Sequence, residues 1–497
     1  MVREGNERRR RCGLNCKGVP ARHIFVAMGF LAMVNTYTLR VNLSVAIVAM
    51  VKLPPPPPHT NDTLFSSQCP PEPGEEEHVR RAKEGEFAWD THIQGLVLGS
   101  FFYGYLFTVL PGGVLAEQMG PKWLIGVGIF TTSALSLVIP VAARWHYLAV
   151  VTIRVLQGLA EGVTFPAMHC MIAHWTPIAT RSRVIAIVQS GADVGAVVAL
   201  LVSGTLAESD FLGGWPSIFY LFGSIGIMWF IGWCFLVYDT PQLHPRISQA
   251  ELNFILAGQG EEKAQLRQRT PWYSLFTSCA VASGVLSHFG FNWIHYIYLS
   301  EMPTYLTSVL HYSLADNGLL SAFPYLLGAI MSCVGSVVAD VLRKREILSI
   351  TYNRKLFNTL GVAAPGVFLL ILPSVGCNRY WNLTLLGIAG GLHGLGHSGF
   401  MAAYVDMAPD FAGTLLGISN IGGSIPGFAI PSILGWLVTN ENSIQQWAAF
   451  FYIGSAVGIL TGVEFLIFGS SDLQPWGVAH VFPDAAINPA ASNELMG

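Results

Sequence analysis

Charged side chains inside apolar stretches are the residues of this sequence best suited to do chemistry. Arg40 and Glu161 each lie in a run of apolar residues long enough to cross a bilayer. A guanidinium offers a fixed fork of donors that fits a carboxylate or phosphate, and a carboxyl group at membrane depth can take up and release a proton. We therefore interpret Arg40 as an anion-binding residue and Glu161 as a proton carrier, the alternative for each being a structural ion pair.

Further polar residues accompany these two at membrane depth. Arg154, Gln157 and Glu161 are spaced i, i+3 and i+7, so they share one helical face. Such a face is expected to line a cavity, since lipid cannot solvate it. Arg154 is a third candidate for ion coupling, or the fixed partner of Glu161. Asp193, a second acidic residue at this depth, could bind a cation or pair with an arginine.

Aromatic and amide side chains supply the remaining candidates for substrate contact. Tyr103, Asn292 and Tyr296 could touch the substrate, with helix packing as the alternative. Six histidines fall in or near apolar runs, where imidazole could relay protons, although hydrogen-bonded packing is the expected role for most of them. They are His169, His174, His288, His295, His393 and His397.

Composition identifies the elements that must carry these residues. The 497-residue chain is 52% apolar and 11% charged, with a mean hydropathy of +0.48, which indicates an integral membrane protein. Its net charge of −3 argues against a nucleic-acid partner. The eight cysteines show no metal-binding spacing. Most are expected to pack as small residues, and a bridge between Cys69 and Cys377 remains possible.

The apolar runs predict an all-α membrane protein with twelve transmembrane helices in two pseudo-symmetric six-helix halves. Basic residues cluster in the loops that this count places inside, so both termini are expected in the cytoplasm. The predicted divisions are a basic N-terminus (1–22), an N-terminal half (23–238), a cytoplasmic linker (239–277), a C-terminal half (278–469) and a cytoplasmic tail (470–497).

The long outside loop at residues 52–90 carries a glycosylation sequon at Asn61. It also contains a proline run and an acidic cluster, both typical of a solvated loop. A glycan at Asn61 is therefore expected. Two further formal sequons are discounted, because Asn42 is buried in a span and Asn382 lies at the entrance of a span.

A weak internal repeat supports the division into halves. The segment GVLAEQMGPK at 113–122 follows the second span, and GSVVADVLR at 335–343 follows the eighth. With twelve spans and a central linker, these segments resemble the major facilitator superfamily, whose signature loop is G-x-x-x-D-R/K-x-G-R/K-R/K. The first copy departs from the signature at Glu117 and Gln118.

Several segments narrow the resemblance to one family of organic and inorganic anion transporters, which includes sialin, type I sodium/phosphate cotransporters and vesicular glutamate transporters. These segments are LRVNLS (39–44), GSFFYGY (99–105), EGVTFPAMH (161–169), DMAP (406–409), GTLLGISN (413–420) and QPW (474–476). Leu98 and Phe291 depart from the vesicular glutamate pattern and argue against glutamate. Gln157 departs from sialin and weakens the analogy with proton-coupled sialic acid export.

The resemblance implies a secondary active transporter of a small organic or inorganic anion, working by alternating access and coupled to H⁺ or Na⁺. It implies no cofactor, a monomer, and a place in the plasma membrane or a lysosomal or vesicular membrane. The alternative function is a transporter-like receptor or scaffold that binds an anion without net transport. An enzyme is not expected, since the sequence shows no HExxH, P-loop or nucleophile-elbow motif in a suitable setting.

Overall fold

The computed structural model describes residues 19–52, 69, 85–258, 271–408, 411–439 and 443–477. These residues form helices joined by short turns and loops. A single isolated β-bridge pairs the backbones of Val51 and Phe87. Asn61, most of the basic N-terminus and most of the C-terminal tail lie outside the described residues. The expected glycan at Asn61 therefore stays a prediction.

Within the described residues, the helices group into twelve spans that form the bundle, as the apolar runs predict. The first six are α1 (Ala21–Met50), α2 (Thr91–Met119), α3 (Pro121–Trp145), α4 (Tyr147–Glu161 and Thr164–Trp175), α5 (Ile178–Glu208) and α6 (Pro216–Leu236). The second six are α7 (Cys279–Tyr296, Ile297–Glu301 and Met302–Ser308), α8 (Leu314–Lys344), α9 (Ile350–Asn358, Thr359–Ala363 and Ala364–Ile371), α10 (Arg379–Gly394, Leu395–Ser398 and Phe400–Met407), α11 (Ala412–Ser424 and Pro426–Leu437) and α12 (Ile444–Phe468).

Several spans are interrupted near their middle. Helix α4 breaks directly after Glu161 and resumes at Thr164, and α11 breaks between Ser424 and Pro426. Proline lacks a backbone donor and so favours such breaks. Irregular backbone at membrane depth is tolerated where it faces protein or a cavity. The interruption in α4 is buried in protein, since Glu161 and Thr164 on its two sides are both fully buried.

Glycine allows α2 and α4 to approach at backbone distance. A methyl group at Gly158 of α4 would meet the carbonyl oxygen of Phe101 in α2, and one at Gly104 would meet the carbonyl oxygen of Val155. Small residues at membrane helix interfaces permit this kind of contact. The contact places Phe101 of α2 close to the polar face of α4.

The two halves meet at one end of the bundle, where α1 ends and α12 begins. There, the Thr91 hydroxyl of α2 donates to the Gly435 carbonyl of α11 over 3.4 Å. The Ala315 amide of α8 donates to the Glu208 carboxylate of α5 over 3.1 Å. The structure is therefore closed between the halves at this end.

A disulfide joins Cys69 to Cys377 at the same end, which we call the disulfide end. The Cα atoms are 5.4 Å apart, and the bridge connects the loop after α1 to the loop between α9 and α10. His311 contacts the Cys69 carbonyl at 3.0 Å, and Arg379 donates to the His311 carbonyl over 3.3 Å. The sequence allowed a disulfide between these two cysteines without requiring it, and the structure contains it. The disulfide ties the first long loop to the C-terminal half.

The opposite end of the bundle, where α1 begins and α12 ends, we call the terminal end. A short helix, Gln249–Gly258, lies between the halves along the chain and docks here. The Glu251 carboxylate accepts hydrogen bonds from the backbone amides of Ala21 and Arg22, over 3.1 and 2.9 Å. An acidic side chain thereby satisfies free donors in the first turn of α1.

Candidate functional site

Arg40 and Glu161 form an ion pair in the interior of the N-terminal half. The distance from Nη2 of Arg40 to Oε1 of Glu161 is 2.8 Å, and the side chains are only 5% and 1% exposed. The structure therefore joins the anion-binding candidate of α1 to the proton-carrier candidate of α4. Taking both charges out of water is costly, and it is tolerable here because each neutralises the other.

Aromatic rings surround the Arg40 guanidinium. Its carbon lies 5.0 Å from the Tyr37 ring centre, 4.8 Å from Phe101, 6.0 Å from Phe102 and 5.0 Å from Tyr105. Ring faces attract a cation, and more strongly where water is excluded. We call these four residues the aromatic cage. The sequence analysis missed this role, although Tyr37 precedes Arg40 by one turn and Phe101 precedes Tyr105 by one turn.

The ion pair leaves hydrogen-bonding capacity unused. Within the described part of the chain, Oε2 of Glu161 and Nε of Arg40 are buried and have no hydrogen-bond partner. Most buried polar atoms in proteins are paired. The site can therefore accept a proton on the carboxylate and an acceptor atom at the guanidinium.

Arg154 was a candidate partner of Glu161, but its hydrogen bonds go to other groups. Its guanidinium donates to Gln157 over 3.1 Å and to the backbone carbonyls of Leu39 and Arg40 over 3.4 and 3.3 Å. Arg154 is 2% exposed, and Gln157 and Glu161 are fully buried, so the predicted shared face is present. The residue that pairs with Glu161 is Arg40, while Arg154 supports the backbone of α1 at Arg40.

The three predicted substrate contacts separate in the structure. Tyr296 of α7 lies beside the Arg40 guanidinium and packs on Phe102 at a centroid distance of 4.9 Å. Tyr103 instead packs on Phe428 of α11 at 5.4 Å. Asn292 donates to the Gly423 carbonyl over 2.6 Å. Only Tyr296 joins the Arg40 site, while Tyr103 and Asn292 make contacts between helices.

Asp193 lies on α5 and is partly buried. It interacts electrostatically with His397 of α10, a residue of the other half. The structure thus sets Asp193 opposite a histidine, where the sequence had suggested a cation or an arginine as its partner.

Histidines of the C-terminal half occupy two settings. His288 is bonded to the Ser419 hydroxyl at 2.7 Å, and the Tyr404 hydroxyl donates to the same Ser419 oxygen over 2.7 Å. This is the packing role that was expected. His393 instead stacks on Phe291 with a centroid distance of 3.9 Å.

Among the described residues, no group of three His, Cys, Asp or Glu side chains is arranged to hold a metal ion.

Comparisons with known proteins agree with this architecture. The sequence-family model of the Major Facilitator Superfamily matches residues 25–431 of this chain. Human sialin is 37% identical over 464 residues, covering 92% of this chain and 91% of that protein. A putative inorganic phosphate cotransporter of Drosophila melanogaster is 37% identical over 466 residues, covering 92% and 86%. Vesicular glutamate transporter 1 of Bos taurus is 36% identical over 486 residues, covering 97% and 83%.

Solved structures share the fold at low sequence identity. An inward-facing, occupied bacterial homolog of the human lysosomal transporter Spinster superposes with a TM-score of 0.67 at 14% identity, covering 92% of this chain and all of that chain. A D-xylose–proton symporter gives a TM-score of 0.62 at 14% identity, covering 91% and 99%. At this identity the likeness shows the fold alone.

Proposed function

Because the chain belongs to the Major Facilitator Superfamily of membrane transporters, we propose that it is a secondary active transporter of a small organic or inorganic anion. The observation that carries this proposal is the buried Arg40–Glu161 pair inside the aromatic cage, 2.8 Å between charged atoms. A guanidinium held in place without water is a strong ligand for an anionic group. The names of the relatives support a choice among sialic acid, phosphate and acidic amino acids.

The ion pair supplies a route to coupling with protons. In the anion-free state the Glu161 carboxylate satisfies Arg40. Protonation of Glu161 neutralises the carboxylate and frees the guanidinium for a substrate anion. Proton binding and anion binding then favour one another, as linkage requires. We propose H⁺ as the coupling ion on this basis, with Na⁺ at Asp193 as the alternative.

The closed disulfide end supports a mechanism of alternating access. Opening this end and closing the terminal end would expose Arg40 to the opposite side of the membrane. The cluster Arg343–Lys344–Arg345 lies at the terminal end, where α8 finishes. By the positive-inside rule this end faces the cytoplasm. The protein is proposed to work as a monomer in the plasma membrane or a lysosomal or vesicular membrane.

Uptake into proteoliposomes tests the proposal. Purified protein is screened with phosphate, urate, sialic acid, glutamate and aspartate under imposed proton or sodium gradients. Wild type should accumulate at least one of these anions. The E161Q variant should lose proton-driven accumulation while retaining exchange of labelled for unlabelled substrate, because an amide cannot carry the proton.

The controls separate the parts of the proposal. Unchanged gradient-driven uptake in both R40A and E161Q would refute the site assignment. Accumulation that follows sodium and ignores pH would assign coupling elsewhere than Glu161. Tight binding without gradient-driven flux would identify a receptor or scaffold in place of a transporter.

A further inference from the structure

Three histidines from two helices gather around Phe291 in the C-terminal half. Phe291 and His295 are one turn apart on α7, and His393 and His397 are one turn apart on α10. The His393 ring stacks on Phe291 at 3.9 Å and 19°, and lies 6.0 Å from His295 at 27°. The His397 ring meets Phe291 edge-on at 5.0 Å. We call His295, His393 and His397 the histidine cluster.

The close approach of α7 and α10 depends on glycine. A methyl group at Gly396 would lie 2.7 Å from the Phe291 ring. Gly396 therefore lets the short turn Leu395–Ser398 press against α7 and carry His397 to the edge of the cluster. The backbone of α10 therefore fixes where the imidazoles of His393 and His397 lie.

The cluster combines a buried imidazole with an accessible one. His393 is only 9% exposed, and neither of its ring nitrogens has a hydrogen-bond partner of normal geometry in the described part of the chain. The Gly361 backbone is the polar group that approaches it. His397 is exposed. A ligand could thus reach the cluster through His397 and meet free hydrogen-bonding capacity on His393.

Few charged groups act on the cluster from the neighbouring helices. Those recorded among the described residues are Asp193 of α5, Arg40 of α1, His288 of α7, and the hydroxyl groups of Tyr296 on α7 and Tyr325 on α8. Asp193 is the one carboxylate in this set. A protonated histidine here has at most one fixed counter-charge, so a second would have to come from a bound anion.

We propose that the histidine cluster is a second anion-binding site, in which a proton and an acidic group of the transported anion bind together. The proposal rests on the proposed transport function and adds a substrate contact in the other half. A buried imidazolium without a counter-charge is costly. The anion supplies that counter-charge, and the proton supplies the cation that the anion needs. Each therefore raises the affinity for the other by the same factor.

Tyr296 of α7 connects the two anion sites. Its ring contacts the His295 ring at a centroid distance of 5.4 Å, and its side chain lies beside the Arg40 guanidinium. Arg40 carries a permanent charge in the N-terminal half, and the cluster acquires charge on protonation in the C-terminal half. An anion that touches both sites would draw the halves together around itself, as binding between the halves requires.

Calorimetry on the purified full-length protein tests the proposal. The probes are sialic acid, glutamate and aspartate, whose net charge does not change between about pH 5.5 and 7.5, so protons taken up on binding go to the protein. Titrations in two buffers of different ionisation enthalpy count those protons. Wild type should bind at least one probe on the order of tenfold more tightly at the lower pH, with net proton uptake.

Two variants and one control give the readout. H397Q alters an exposed side chain and should fold normally, yet it should take up fewer protons per bound anion than wild type and show a weaker pH dependence, with Glu161 supplying the remainder. H393Q should do the same, and a melting curve shows whether it is folded. H169Q replaces an exposed histidine of α4 that contacts the Phe165 carbonyl, and it should match wild type.

Every outcome bears on the proposal. The proposal would be overturned if both histidine variants, shown to be folded, kept the proton uptake and pH dependence of wild type. It would also be overturned if wild type bound none of the probes. Proton-linked binding that H397Q weakens, in a protein that shows no gradient-driven flux, would support the histidine site and refute the transport function.

Discussion

Arg40 and Glu161 are both too deeply buried to be solvated, so each depends on the other. A buried ion pair is often no more stabilising than a well-packed apolar pair. Within the described residues, this pair also leaves Oε2 of Glu161 and Nε of Arg40 without a hydrogen-bond partner, and the proposed binding of an anion and a proton would use both atoms. In the proposed mechanism, the aromatic cage would keep the guanidinium in position when Glu161 becomes neutral.

Replacing Arg40 by lysine tests the shape of the cation separately from its charge. R40K keeps a positive charge beside Glu161 but loses the planar fork. We expect a folded protein with a KM for anion uptake raised on the order of tenfold, because one bidentate contact is lost. R40A should in addition lose about 3–5 kcal/mol of stability, since it leaves Glu161 without a counter-charge.

Arg144 offers a matched control for R40K. It pairs with Glu86 over the same 2.8 Å, but the two side chains are 50% and 40% exposed. Exposed ion pairs contribute about 0–1 kcal/mol. R144K should therefore leave uptake and melting temperature near wild type. An effect of R144K as large as that of R40K would contradict the special role of the buried pair.

At the scale of helices, the site depends on the contact between α2 and α4. This contact brings Phe101 within 5.0 Å of Arg154 and 4.8 Å of Arg40. It exists because Gly158 has no side chain. The cage is thus a consequence of backbone packing as well as of aromatic residues.

A methyl group at Gly158 should disturb the site without changing any charge. The added carbon would meet the Phe101 backbone carbonyl, which has to shift together with α2. We expect G158A to lose about 1–3 kcal/mol of stability and much of its uptake, measured by thermal unfolding and proteoliposome flux. At Gly417 of α11, an added methyl meets nothing within 4 Å. G417A should therefore match wild type, and equal behaviour of the two variants would refute the packing argument.

At the scale of the whole molecule, the disulfide links positions 308 residues apart. Cross-linking distant positions restricts the unfolded chain, with a typical gain of about 2–4 kcal/mol. C377S should lower the melting temperature under non-reducing conditions and abolish its sensitivity to reductant. C279S, which removes an exposed free thiol, should not. An identical melting temperature for C377S and wild type would show that the bridge contributes nothing.

Glycosylation tests the proposed orientation of the molecule. If the disulfide end faces the outside or a lumen, Asn61 should carry a glycan. Enzymatic deglycosylation should then shift the gel mobility of wild type and leave N61Q unchanged. Asn382 is fully buried and donates to the Gly376 carbonyl over 2.8 Å, so its sequon should stay unmodified. A glycan remaining on N61Q, or none on wild type, would contradict this arrangement.

The sequence by itself determined the membrane class, the twelve spans and the two halves. Apolar runs of membrane length permit few other structures, because backbone groups in lipid have to bond internally. The same constraint made Arg40, Glu161 and Arg154 conspicuous, since a charge in such a run is costly. The positions of the loop glycan and of the coupling ion remain predictions of the sequence.

Only the tertiary structure decided which of these residues meet. Helical spacing relates Arg154 to Glu161 on one helix, but it carries no information about a side chain from another helix. The pairing of Glu161 with Arg40, the aromatic cage and the histidine cluster all arise where different helices pack, at glycines such as Gly158 and Gly396. The disulfide is of the same kind, because its two cysteines are 308 residues apart in the sequence and come together only in the folded chain.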